Sequence, residues 1–492
     1  MAEKDSFYLS KSLYLRGLRC PKSLYLYKYH SDLLDEESKT GGTAIQAGLA
    51  VGDYAKNLFP EGIEIPYDGL TIPEQVAMTK EEIRKGTSAI YEAAFSYNGI
   101  FVKVDILHKG LAGWEICEIK SSTSMKDVFL DDAAIQYYVT KKYGLQISKI
   151  SVVHINNKYT RNGDVEPNKL FVRNDVTYTV IEKQESIAEN ISKLRGVLKS
   201  DMPVADIGAQ CEEPYPCDFR GYCWKHIPKD SVFDLKGRGL DKFGFYQREI
   251  VEMKDLPLDS LNKLHRIQVE SFLAKADYLN RNEVKIFLDS LWYPLHFFDF
   301  ETIFPAIPMF NGTRPYQQIP FQYSLHFIQQ KGALLQHLEF LAQPSVDHRK
   351  ELLVQLLNDI PEDACILAYN SNFEIQVLNN LALQFPEFKS GIDIRIANMR
   401  DLADPFRKRD IYSWKMKGSY SLKTVLPVLI PELNYAGLEI SDGGMAMEAY
   451  FAMCQSDDPV EKERTRKALH EYCKLDTLAM VRILDRLYEI SE

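Results

Sequence analysis

Apolar and polar residues follow different periods in different stretches of this chain, and the changes of period divide it. Within the first 230 residues, short runs such as "GIFVKVDIL", "WEICEIK" and "KISVVHINN" stand between helical segments. Runs of this length, rich in Val, Ile and aromatics, predict strands. Residues 229–290 change to a charged amphipathic pattern. In "LNKLHRIQVESFLAKADYL" the apolar residues recur every three or four positions, the spacing of one helical face. From residue 291 strand patterns return in "YPLHFFDFET", "FQYSLHFIQ" and "LLQHLEFLAQ", followed by a helix and then "DACILAYN". Three β-type runs followed by helix alternation predict a mixed sheet with helices packed on it. The pattern predicts an α/β protein with domains at residues 1–228 and 291–492 and a helical connector at 229–290.

Composition agrees and adds limits. A chain of 492 residues is too long for one core. With 45% hydrophobic and 26% charged residues, it has the profile of a soluble globular protein. No run of 18 apolar residues occurs, and "MAEKDSFYLSKSLYLRG" lacks a signal-peptide core, so no membrane span and a cytoplasmic protein are expected. In that compartment the eight cysteines are thiols or metal ligands rather than disulfides. The net charge of −10 splits into −3 over residues 1–230 (29 basic, 32 acidic) and −7 over the rest (30 and 37). Neither part is a basic domain, which argues against a protein that coats nucleic acid. Nucleic acid would be held by local patches or through metal ions.

The stretch "FFDFETIF", residues 297–304, is apolar enough to be a buried strand, yet it carries Asp299 and Glu301. Residues two apart on a strand share a face, and two like charges about 5 Å apart repel by roughly 3 kcal/mol at an effective dielectric near 20. A cation between them removes the conflict. Further carboxylates follow. In "CILAYNSNFEIQVLNNLAL" a strand, a polar turn and a helix bring Glu374 into the first helical turn, with Ser371 or Asn372 as the expected cap. In "RKALHEYCKLDTLAMVRILDRL" Tyr472 and Asp476 lie four apart on one helical face. Hard oxygen ligands in this number suit Mg or Mn, and a two-ion site suits phosphodiester hydrolysis.

The motifs "DFET", "YNSNFE" and "YCKLD", in this order, resemble those of the DnaQ-like exonucleases of the ribonuclease H-like superfamily, in the subclass with tyrosine in the third motif. The resemblance covers about 200 residues. It implies metal ligation by Asp299, Glu301, Glu374 and Asp476, with Tyr472 orienting the attacking water. The chain departs from that family where Glu374 stands for the usual Asp.

The N-terminal part has its own constellation. "FVKVDILHKGLAGWEICEIKSST" contains Asp105, then Glu118 and Lys120 after a hairpin turn at Gly110 and Gly113, and the following helix carries Gln136. Carboxylates here would hold a metal, while a lysine beside them positions water or stabilises phosphate charge. The arrangement resembles the PD-(D/E)XK core of RecB-like nucleases and implies that Asp105, Glu118, Lys120 and Gln136 form a second catalytic centre. Where many such nucleases carry His or Glu on an early helix, this chain has Gly48, Val51 and Gly52, with Asp53 and Lys56 nearby.

Cys20 precedes that core, and Cys211, Cys217 and Cys223 follow it in "CEEPYPCDFRGYC". One early and three late cysteines resemble the iron–sulfur nucleases of the AddB type and the CRISPR-associated RecB-like exonucleases. The resemblance implies that the four thiolates hold a [4Fe–4S] cluster tying the domain's ends together, with zinc as the rival ion. Cys117, Cys365, Cys454 and Cys473 lie outside this grouping and read as ordinary buried cysteines. A bacterial two-domain family resembling this layout joins the two nuclease folds. The expected function is a metal-dependent nuclease with two centres, acting on nucleic acid, DNA in preference to RNA, as an exonuclease in repair, turnover or defence. Two alternatives remain. In one, only the C-terminal site trims DNA or RNA and the N-terminal domain is a clamp; in the other, the protein is a catalytically silent binding module.

Overall fold

The computed structural model describes residues 9–36, 43–344 and 346–492. The chain is a mixed α/β protein that separates into two compact units. Unit 1 comprises residues 1–226 with 305–317, and unit 2 comprises residues 227–304 with 318–492.

Unit 1 is built on a mixed sheet of β1 (Leu9–Ser10), β2 (Ile63–Glu64), β3 (Ala89–Tyr97), β4 (Ile100–Lys109), β5 (Trp114–Lys120), β6 (Ile147–Ile155) and β7 (Phe171–Asp175). The order is β2-β3-β4-β5-β6-β7, with β1 pairing in parallel to β4. The β3–β4–β5 meander is antiparallel, and β6 joins β5 in parallel. Between β4 and β5, Gly110 N–H donates to the Gly113 carbonyl at 2.9 Å, and Gly113 takes a φ of 144°, a conformation that costs glycine least. The expected hairpin is therefore present. The helix Val128–Tyr143 packs on the sheet. It buries Ile135 and Val139 against Val102, Val104 and Ile150. Residues 305–317 also belong to unit 1, where Arg161 Nη1 donates to the Pro308 carbonyl at 3.0 Å.

Unit 2 contains β8 (Tyr278–Leu279), β9 (Leu295–Ile303), β10 (Ile319–Ile328), β11 (Gln336–Leu341), β12 (Cys365–Ala368), β13 (Met399–Asp401) and β14 (Ile411–Tyr412). Its main sheet has the order β11-β10-β9-β12-β13. The first three strands are antiparallel, and β12 and β13 continue in parallel. Alternation along β9 sends Phe298 and Phe300 into one apolar layer and Leu295 and Phe297 into the other. Asp299 and Glu301 follow the phase of Leu295 and Phe297, so they face the layer covered by the helix Pro459–Ser491.

The stretch read from sequence as a connector is part of unit 2. It forms the helices Lys263–Ala274 and Arg281–Asp289, and β8 pairs with β14. A local apolar cluster of Val232, Leu235, Phe245, Met253 and Val269 covers its first half. Short 3-10 turns interrupt the helical pattern, because Pro257 and the polar residues around it stop helix propagation. Among the described residues, no helix is long and apolar enough to cross a membrane.

Candidate functional site

Three segments bring the C-terminal carboxylates together. β9 supplies Asp299 and Glu301. Asn370, at a left-handed φ of 70°, closes the turn after β12, a conformation that Asn tolerates better than most residues. The helix Asn372–Gln384 follows and carries Glu374 in its first turn. Ser371 takes the N-cap position, but its side chain makes no capping bond. The helix Pro459–Ser491 is held against β10 by three bonds. Gln322 Nε2 donates to the Leu469 carbonyl at 3.0 Å, and Thr477 Oγ1 meets Ser324 Oγ at 2.7 Å and His326 Nδ1 at 2.8 Å. Ser324 pairs with Asp299 and Gln322 with Glu301. The register of β10 therefore places Tyr472 and Asp476, which lie between Leu469 and Thr477, over the acid pair.

The electrostatics follow from this crowding. Burial, then the charges of Asp476, Glu301 and Glu374, hold Asp299 well above the usual carboxylate range. Burial and Asp476 push Glu301 up to about 8. Burial likewise lifts Glu374 to about 8 and Asp476 to about 6. Lys423, on the exposed side of the helix Leu422–Leu429, opposes the rise at Asp299, Glu301 and Asp476. It donates to Tyr472 Oη at 3.2 Å and lies over the rings of Tyr435 and Tyr472, 5.4 and 5.1 Å from their centroids. Tyr435 Oη donates to Asp476 Oδ1. Glu374 Oε2 is buried with no hydrogen-bond partner among the protein atoms. The ligand atoms of Asp299, Glu301 and Cys473 lie within 4.8 Å of one another.

The N-terminal centre is built differently. In β3 and β4 the register pairs Tyr91 with Ile106 and Ala93 with Val104, leaving Glu92, at a φ of 54°, across from Asp105. Asp105 Oδ2 accepts the Ile119 N–H at 2.6 Å. Glu118 Oε1 receives Lys11 Nζ at 3.0 Å and Lys120 Nζ at 2.6 Å. The same two lysines pair with Asp132, Lys11 at 3.1 Å. Gln136 Nε2 donates to Glu118 and, at 3.3 Å, to Asp132, while its Oε1 is buried without a partner. Burial and Asp105 press Glu118 upward, yet the two lysines hold it below its ordinary value. Burial outweighs the lysines at Asp105 and Asp132, which are both raised. For Lys120, burial favours the neutral amine, but Glu118 and Asp132 overcome it and raise the ammonium.

The four grouped cysteines converge. Cys20, Cys211, Cys217 and Cys223 line one small cavity with Ser23, Phe219 and Arg220. The two ends of unit 1 are also joined around it, since Arg16 pairs with Asp218 at 2.5 Å and Arg19 Nε donates to the Gln210 carbonyl at 2.7 Å.

The candidate catalytic residues and the four grouped cysteines thus fall in three clusters, but the clusters have members that sequence reasoning missed. Asp132 had a signal, because it stands one helical turn before Gln136. Lys11, Lys423 and Tyr435 had none, since they arrive from remote segments with no fixed spacing to the motifs. Cys473, read as an ordinary buried cysteine, sits in the acidic centre.

A family model described as a domain of unknown function, DUF2779, matches residues 296–421. That span holds Asp299, Glu301 and Glu374 but ends before Tyr472 and Asp476. The uncharacterized protein MG366 of Mycoplasma genitalium is 23% identical over 407 residues, covering 70% of this chain and 60% of its own length. Its homologue in Mycoplasma pneumoniae is 27% identical over 261 residues, 48% of this chain and 38% of that protein. The chain thus spans less than two thirds of the curated relatives it matches.

Proposed function

We propose that this chain is a metal-dependent nuclease, with its principal centre at Asp299, Glu301, Glu374 and Asp476. One observation carries the proposal: four carboxyls from three segments are gathered in one buried place, three of them facing Lys423, and one of their oxygens has no partner among the protein atoms. Folding does not gather such charges for stability, because each is costly to bury unpaired. Bound to these oxygens, Mg or Mn would supply a nucleophilic water and stabilise the leaving oxygen. Tyr472, whose hydroxyl accepts from Lys423 Nζ, would orient that water. The strand order of unit 2, with the acid pair on its central strand, supports a ribonuclease H-like domain of the DnaQ-like type. The meander, parallel crossover and Gln136 helix of unit 1 support a PD-(D/E)XK domain of the RecB-like type.

The four cysteines would hold a [4Fe–4S] cluster. Their convergence on one cavity from segments about 190 residues apart supports four thiolates on one group. The substrate is DNA in preference to RNA, degraded as an exonuclease does in repair, turnover or defence.

The N-terminal centre has a second reading, as a nucleic-acid clamp. Lys11 and Lys120 already lie between Glu118 and Asp132, where a divalent ion would go. If the clamp reading holds, Lys120→Ala weakens DNA binding and leaves the products of cleavage unchanged; loss of one set of products assigns a second active centre instead.

The test uses the full chain with labelled single-stranded DNA, duplex DNA and RNA, in Mn2+, Mg2+ or EDTA. Cleavage is expected with either ion and absent in EDTA. Asp299→Ala, with an unchanged far-ultraviolet spectrum, should lose at least about a hundredfold in rate. All three substrates remaining intact with both ions would sink the proposal. For the cluster, anaerobically purified protein should be brown and contain iron, and Cys217→Ala should lose it. Full iron content in that variant rules out this ligand set.

A further inference from the structure

Cys473 is one residue beyond Tyr472 on the helix Pro459–Ser491, and it is fully buried. Its Sγ lies 3.9 Å from Asp299 Oδ2, and the ligand atoms of Asp299, Glu301 and Cys473 are mutually within 4.8 Å. An ion holding sulfur at about 2.3 Å and a carboxylate oxygen near 2.1 Å in tetrahedral geometry sets those two atoms about 3.6 Å apart. A shift of a few tenths of an ångström would seat both donors. Glu374 adds an independent observation. It is 1% exposed, its Oε2 has no partner, and its charge acts on both Asp299 and Glu301. Leaving such an oxygen unsatisfied costs about 1–3 kcal/mol, more when charged, and a cation in front of it removes that cost.

We infer that Asp299, Glu301 and Cys473, with Glu374 beside them, form a position for a thiophilic divalent ion of the zinc or cadmium class. The inference rests on the metal-centre reading above and goes beyond it by naming a class of ion that carboxylates alone do not select. Magnesium gains little from sulfur, whereas soft ions favour thiolate. On binding, the thiol gives its proton to solvent and its sulfur donates an electron pair to the ion, with no change in oxidation state. The consequence is a centre that a zinc-class ion takes over from Mg2+ or Mn2+, so that its occupancy follows the ratio of soft to hard ions.

The experiment follows Mn2+ release from the full chain by the electron paramagnetic resonance of free Mn2+ as Cd2+ is added. In the wild type Cd2+ should displace Mn2+ below equimolar concentration. The Cys473→Ser protein should need at least about tenfold more Cd2+, a difference of about 1.4 kcal/mol, while binding the same amount of Mn2+. The wild-type minus Cys473→Ser ultraviolet spectrum should show a sulfur-to-cadmium charge-transfer band, since the other cysteines cancel. Cys473→Ala repeats the comparison without a hydroxyl. If Cd2+ competes no better than Mn2+ in the wild type, or equally well in wild type and both variants, the inference falls and the metal centre stands. A wild type that binds no Mn2+ overturns both.

Discussion

The two acidic centres meet the same electrostatic problem with different numbers of cations. In unit 1, Asp105, Glu118 and Asp132 face two ammonium groups of the chain itself, Lys11 and Lys120. In unit 2, Asp299, Glu301 and Asp476 face Lys423, and Glu374 adds a fourth carboxyl beside them. The result shows in the acids: in the first centre Asp105 and Asp132 are raised but Glu118 is held below its ordinary value, whereas all four carboxyls of the second centre are raised. A buried acid stays charged when the fold supplies its counter-ion and is driven toward neutrality when the fold does not. Two lysines suffice to keep one acid of the first centre below its ordinary value, and Lys423 does not do so for any acid of the second.

The sharpest test of this contrast removes a built-in cation. Lys11→Met keeps most of the apolar stem but leaves Glu118 and Asp132 sharing one lysine. The loss should destabilise unit 1 by about 2–4 kcal/mol, somewhat below the cost of breaking a fully buried pair because Lys11 is partly exposed. Urea unfolding of both proteins in EDTA measures it, and an unchanged midpoint would break the comparison.

Adding a cation should act on the other centre. At about 100 times its dissociation constant, Mn2+ should stabilise the wild type by about 2.7 kcal/mol, seen as a higher melting temperature. Asp299→Ala should lose most of that gain. A gain retained in Asp299→Ala but lost in Glu118→Gln would assign the ion to unit 1 and reverse the contrast.

The pH dependence has a definite sign. For carboxyls whose folded values are raised, Glu301 and Glu374 to about 8 and Asp476 to about 6, the native state binds more protons than the unfolded chain between about pH 4 and 8. Their contribution in EDTA is therefore most favourable near pH 4 and is lost as pH rises through those folded values. Melting in EDTA should show the second unit weakening from pH 5 to 8, and saturating Mn2+ should flatten or reverse the trend. Lys11 and Lys120, both raised, stay charged across this window and add no slope of their own.

The smallest effect is the most diagnostic. In EDTA, Asp299→Ala removes one of several repelling charges, so its melting point should equal or slightly exceed the wild type's. A large drop would mean that Asp299 is a structural partner, since breaking a buried ion pair costs about 3–5 kcal/mol.

Much of the second centre was legible in the sequence because its residues stand on regular elements at fixed spacing. Asp299 and Glu301 are two apart on β9, and Tyr472 and Asp476 are four apart on one helix, so periodicity alone puts each pair on one face. The acid-bearing hairpin of unit 1 was readable for the same reason, with Gly110 and Gly113 marking its turn. Local rules also supplied the α/β class and the strands themselves. The partners that decide each centre's charge were not readable. Lys11 reaches Glu118 across 107 residues and Lys423 reaches Tyr472 across 49, through packing that no periodicity records. The stretch 229–290 took its place in the same way: its amphipathic pattern predicted helix, but pairing of β8 with β14 and packing of its apolar face made it part of unit 2. Sequence spacing determined which carboxylates share a surface. Tertiary structure decided which cations face them, because a counter-ion needs only to be near in space.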